Sequence, residues 1–244
     1  MFAEPPREAI DEIGRNYSKA LVPIKDLSSP DHDVVGTGFF ARFEGRDYLV
    51  TAAHTVLNTG RENCGLILSG EPFSFATRSF HYSWEDDIGV FPVDEVLAEE
   101  IEGVLRITVE RDLGDFARCA QGVVVMGYPI YFLAGMKTPL LPVSTWLETR
   151  GVTFCSEIED PIIYAFEAKR WVTTDGFSRD NFNPEGMSGG PALAWVNFGS
   201  EERPDLQVLF QSVLVEWEMR DGFLVGSANS RLVELMDACL AGTA

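Results

Sequence analysis

The segment Asn183–Leu193, NPEGMSGGPAL, sets one serine, Ser188, among three glycines, Gly186, Gly189 and Gly190. Glycine loses more backbone freedom on folding than any other residue, so such a loop is unfavourable to order. Something must require Ser188 to stand with so little side chain around it. Pro191 then fixes φ where an apolar run begins, which argues against a merely flexible turn.

The pattern Gly186-x-Ser188-x-Gly190 fits the nucleophile turn of α/β-hydrolases as well as other serine-centred sites. The histidines decide between them. The chain has three, His32, His54 and His81, and all precede Ser188. An α/β-hydrolase places its histidine after the serine, so that fold is excluded. Its strand–helix alternation is missing as well. The order His, Asp, Ser remains open. His54 closes Leu49–His54, LVTAAH, a strand running into small residues that let a neighbour pack close and leave the imidazole at the strand end. Asp87 lies in Glu85–Val90, EDDIGV, just before an apolar run. Asp86 is its rival, and strand alternation lets only one of the two face His54. His32 and His81 have no such context and read as structural.

The 244 residues can bury a sizeable core, and 45% hydrophobic with 11% aromatic content is that of a folded domain. A formal charge of −19 excludes a nucleic-acid ligand, which needs clustered Lys and Arg. The acidity reads as a solvated surface, with a preference for basic partners as the sharper alternative. The first residues hold no secretory signal, and no stretch reaches the ~20 apolar residues of a membrane span. Cys64, Cys119, Cys155 and Cys239 are widely spaced and suggest neither a disulfide framework nor a zinc site. Free thiols and a cytoplasmic location are expected, with no metal or cofactor.

Ile10, Ile13, Tyr17 and Leu21 recur at helical spacing and predict a helix over 7–20, ended by Pro23. From Val34 the texture becomes that of short strands, beginning with a hairpin around Glu44-Gly45-Arg46-Asp47. Residues 94–104 are locally helical and acidic, near a crossover that reaches to about 115. Strands resume beyond it, and a final helix over 227–241 carries Leu232, Leu235, Met236, Cys239 and Leu240 on one face, with Ser or Asn to cap it.

Together TAAH, DIGV and GMSGGP resemble, in order and spacing, the three catalytic signatures of trypsin-like serine proteases. Gly36-Thr37-Gly38-Phe39 resembles that family's G-S-G-F strand, and Met126-Gly127-Tyr128-Pro129 its G-x-P turn. The likeness spans roughly residues 20–240 and is nearest the bacterial stand-alone branch related to the high-temperature-requirement proteases, without a PDZ module. It implies an all-β chymotrypsin-like fold of two six-stranded antiparallel β-barrels with an N-terminal and a C-terminal helix. The chain is then one protease domain over 1–244, the first barrel at about 20–110 and the second at about 115–225.

The resemblance implies Ser188 as nucleophile, His54 as general base and Asp87 as its orienting acid. Gly186 and Ser188 would supply the oxyanion amides. A specificity pocket would draw on Phe182 and Asn183 at its base and on Gln211, Ser212 and Val213 in its wall. The family's digestive members carry cysteine where this chain has Thr55, and an aspartate where it has Met187. That aspartate pairs with a newly cut N-terminus, so activation by that route is not expected. Pro184-Glu185-Gly186-Met187 is one residue longer than the common form of the loop. The implied function is a selective intracellular serine endopeptidase acting on a protein or peptide substrate, with an activating protein partner as a further candidate. The alternative is a latent or inactive protease-like peptide-binding module.

Overall fold

The computed structural model describes residues 7–114, 120, 122–129, 143–149, 161–165, 171–173, 185–199, 205–218 and 223–242. The chain opens with α1 (Arg7–Tyr17) and a 3-10 turn (Ser18–Ala20). The first half then runs β1 (Leu21–Asp26), β2 (Val34–Phe43), β3 (Arg46–Ala52), α2 (Ala53–Thr59), β4 (Cys64–Leu68), β5 (Glu71–Ser74), β6 (His81–Ser83), β7 (Ile88–Pro92), α3 (Glu95–Glu100) and β8 (Ile107–Thr108). The second half holds β9 (Gly122–Gly127), β10 (Val143–Thr149), β11 (Ile162–Ala165), β12 (Trp171–Thr173), β13 (Pro191–Asn197), β14 (Leu206–Glu218) and β15 (Phe223–Ala228), and closes with α4 (Asn229–Ala241).

Two sheets result. The second closes into a ring of six antiparallel strands, β9, β10, β11, β15, β14 and β13, with β12 paired to β10 outside it. The first carries eight strands rather than six. Seven follow the order β5-β4-β1-β2-β3-β7-β6, and the two-residue β8 lies parallel to β2. The β2–β3 turn is made by Glu44 and Gly45, both at positive φ, the two-residue geometry that matches strand twist.

The strand patterning explains how the sheets meet. On β2, Phe40 points into the interior of the first sheet with Ile24, Leu49 and Phe91. Its neighbours Phe39 and Ala41 point the other way, into a core shared with Trp195, Phe210 and Val213 of the second sheet. Alternation therefore separates two buried faces here, not a buried and a wet one. A third cluster, including Val125, Tyr164, Met187 and Leu214, fills the closed barrel.

Three local expectations change. Pro23 does not end the first helix but sits inside β1 opposite Thr37. This is tolerated because β4 pairs with β1 only at Lys25 and Asp26, so the missing N–H leaves no partner short there. The acidic 94–104 segment is helical only to Glu100, started by the Asp94 side chain accepting from Leu97 N–H at 2.9 Å. The last helix begins at Asn229 without a side-chain cap, because the capping position falls on Ala228; the Asn229 amide donates to the Glu110 carbonyl at 2.7 Å. The terminal helices are cross-placed: α1 packs on β9 and β10, and α4 touches β6 and β7 as well as β14 and β15. Among the described residues no helix is long and apolar enough to cross a membrane.

Candidate active site

His54 stands in the first turn of α2, which begins where β3 ends. Asp87 is the last residue before β7 and adopts the left-handed conformation, φ +51°, which is rare outside glycine. Both of its carboxylate oxygens are turned on His54. Oδ2 lies 2.5 Å from the imidazole Nδ1, and Oδ1 accepts the His54 backbone N–H at 2.8 Å. Its carbonyl accepts the Ala53 N–H at 3.0 Å. A carboxylate can only accept, so Nδ1 carries the proton and Nε2 of the neutral ring keeps a lone pair. The imidazole is one-third exposed and the carboxylate less so. The rival Asp86 faces away, held by Ser83 and near Arg231.

The Ser188 loop is fixed by its backbone. Gly186 and Gly189 take φ of +92° and +89°, conformations that L side chains rarely adopt. Gly189 N–H donates to the Leu214 carbonyl at 2.6 Å, Leu214 N–H to the Gly190 carbonyl at 2.8 Å, and Gly190 N–H to the Met187 carbonyl at 2.8 Å. Met187, at the position where the resembled digestive proteases carry an aspartate, is buried in the closed barrel. Burial thus anchors the loop where charge would in the resembled family.

Thr37 ties this loop to the first sheet, and sequence reading missed it. Its N–H donates to the Ser188 carbonyl at 2.8 Å and its hydroxyl to the Gly186 carbonyl at 2.8 Å. The same hydroxyl oxygen accepts from Tyr128 N–H, and the Thr37 carbonyl accepts from the Thr51 hydroxyl. Its only signal in the sequence was its place between Gly36 and Gly38; the structure buries it fully. Gly189 is so close to the end of β3 that a Cβ there would lie 2.7 Å from the Ala52 nitrogen. The backbone beside Ser188 therefore rests two residues short of His54. Ser188 itself is partly exposed.

The expected specificity residues are placed less evenly. Phe182 and Asn183 lie outside the described residues. Ser212 and Val213 are closed to solvent, and the Ser212 hydroxyl lies 2.6 Å from that of Tyr164. Gln211 is partly exposed and accepts from the same tyrosine at 3.3 Å. Val213 and Ser212 pair with Pro191 and Ala192 just after the loop, and Leu214 bonds the loop itself at Gly189 and Gly190. Among the described residues no group of side chains could hold a metal ion. His32 sits in a turn and His81 in β6, apart from this constellation.

No family model matches the sequence, and no curated protein matches it. Solved structures do. Rv3671c from M. tuberculosis H37Rv, in an inactive form carrying a serine-to-alanine substitution, matches with a TM-score of 0.54 at 15% identity, covering 99% of this chain and 97% of that one. A structure from work on aromatic interactions in the coupled folding and binding of the Sesbania mosaic virus VPg protein matches at 0.50 and 16% identity, over 86% and 85% of the chains. The serine protease domain of the Sesbania mosaic virus polyprotein gives 0.49 at 18% identity, over 88% and 90%. The first two likenesses carry the fold: the chain has a chymotrypsin-like, two-sheet architecture.

Proposed function

We propose that the chain is a serine endopeptidase that cleaves a protein substrate through an acyl-enzyme. The observation that carries this reading is the His54–Asp87 pair, 2.5 Å apart, at the strand end against which the Ser188 loop is packed. In the proposed reaction Nε2 of His54 takes the Ser188 proton as Oγ attacks the scissile carbonyl carbon. The carbonyl π electrons move to oxygen, where the amides of Gly186 and Ser188 receive the charge; one such donor is typically worth ~10²–10³ in rate. The imidazolium returns its proton to the leaving amine, and the C–N bond breaks. Water then repeats the sequence on the ester, releasing acid and free Ser188. Asp87 holds the tautomer and offsets the imidazolium charge. No metal or cofactor enters. Selective processing of one partner protein, restrained until that partner engages the cleft, fits the lengthened Pro184–Met187 segment.

A fluorophosphonate that reacts only with an activated serine tests the proposal. Labelling of the wild type at Ser188, lost in Ser188→Ala and His54→Ala, is expected. Turnover should fall by ~10⁶ in Ser188→Ala, with the thermal midpoint almost unmoved. Absent labelling, with a peptide still bound in the cleft, would leave the binding module instead.

A further inference from the structure

Asp86 lies one residue before Asp87 and is held by a different element. Its Oδ2 accepts from the Ser83 hydroxyl at 2.6 Å, and its own N–H donates back to that oxygen at 3.2 Å. Its Oδ1 is buried and accepts no hydrogen bond among the described residues. Nε of Arg231, on the first turn of α4, lies 3.6 Å from it. Both side chains are mostly buried, at 19% and 13% exposure. The other end of the guanidinium reaches Glu234 at 3.2 Å.

A buried carboxylate oxygen without a donor depends on the charge beside it, and removing that charge leaves an uncompensated ion. The carboxylate would relieve this by turning towards water. The turn it belongs to cannot follow freely, because the next residue is Asp87, already at φ +51° and bonded through its carbonyl to Ala53. Any movement of Asp86 is thus passed directly to the carboxylate that meets His54.

We propose that Arg231 is a positioning residue: from the C-terminal helix it fixes the Asp86 side chain and thereby the orientation of Asp87 towards His54. The catalytic consequence rests on the serine protease reading; the positioning itself does not. Two measurements separate them. Ring nitrogen-15 shifts of His54, taken in the Ser188→Ala protein, report the tautomer that Asp87 imposes, whether or not the wild type turns over. Fluorophosphonate labelling rates report the chemistry.

In Arg231→Met the His54 tautomer should become mixed, approaching that of Asp87→Asn, and labelling should slow roughly tenfold to a hundredfold, the scale of a small misplacement. Adding Asp86→Asn, which removes the buried charge, should restore both readouts. Arg111→Met is the control for helix docking, since Arg111 bonds Asp237 on the same helix but lies away from Asp86; it should change neither. An unchanged tautomer in Arg231→Met, failed rescue by Asp86→Asn, or an equal effect of Arg111→Met would overturn the assignment. A wild type that never labels, yet whose tautomer shifts and recovers as described, would keep the positioning role and remove the protease.

Discussion

Replacing Gly189 with alanine tests whether the Ser188 loop is locked to the first sheet. Two penalties apply. At φ +89° an L side chain is strained by about 1–2 kcal/mol. The new Cβ would also meet the Thr37 carbonyl, the Thr51 hydroxyl and the Ala52 nitrogen, none of them the far end of a flexible side chain. Overpacking of this kind costs about 1–3 kcal/mol. Together these destabilise by about 2–5 kcal/mol, and at this chain length each kcal/mol lowers Tm by roughly 2–4 °C. A fall of roughly 4–20 °C in thermal unfolding by circular dichroism follows. Gly45→Ala isolates the first penalty, since φ is +75° there but nothing lies within 4 Å of the added carbon. It should lower Tm by only the part due to φ. Gly189→Ala no worse than Gly45→Ala would refute the packing of this loop against the strand that leads to His54.

Three further outcomes are expected. Tyr164→Phe leaves the fully buried Ser212 hydroxyl without its 2.6 Å partner and should destabilise by about 1–3 kcal/mol in urea unfolding, whereas adding Ser212→Ala should recover part of that loss. Burial alone would push the Asp47 carboxyl up, but hydrogen bonds from Arg42 and Arg106 outweigh it and hold it below its ordinary value. That contribution is complete above the ordinary carboxylate range and is lost as pH falls through the folded value, so Arg106→Met should flatten the acid limb of a stability–pH curve. Burial pushes the Cys64 thiol up to about 12, so iodoacetamide at pH 8 should spare it in the native protein and alkylate it in urea, as read by peptide mapping.

The features legible in the sequence are those set by local pattern. The turn residues Glu44 and Gly45 between two β-rich runs marked the first hairpin, and small residues before His54 marked a strand end. The Asp-Ile-Gly-Val run favoured Asp87 over Asp86, and the Asp87 carboxylate is the one that meets the imidazole. Contacts between distant segments left no such trace. Nothing around Arg231 announces Asp86, and nothing around Thr37 announces Gly186. Pro23 looked like a helix stop because its tolerance in β1 depends on where β4 pairs. Ser212 and Val213 were expected in a pocket wall on the family resemblance alone, which carries no information on which residues of that strand meet solvent; both are closed to it. Their burial depends on pairing with both β13 and β15.

The crossed placement of the terminal helices limits how the two sheets can part. α1 rests on β9 and β10, yet the strand that continues from it belongs to the first sheet. α4 leaves the second sheet and lies against β6 and β7 of the first. Each half is therefore clasped by a chain end rooted in the other, and a hinge-like parting would have to peel both ends away. The same double clasp couples the halves as they melt, so heating should give one shared transition, not two.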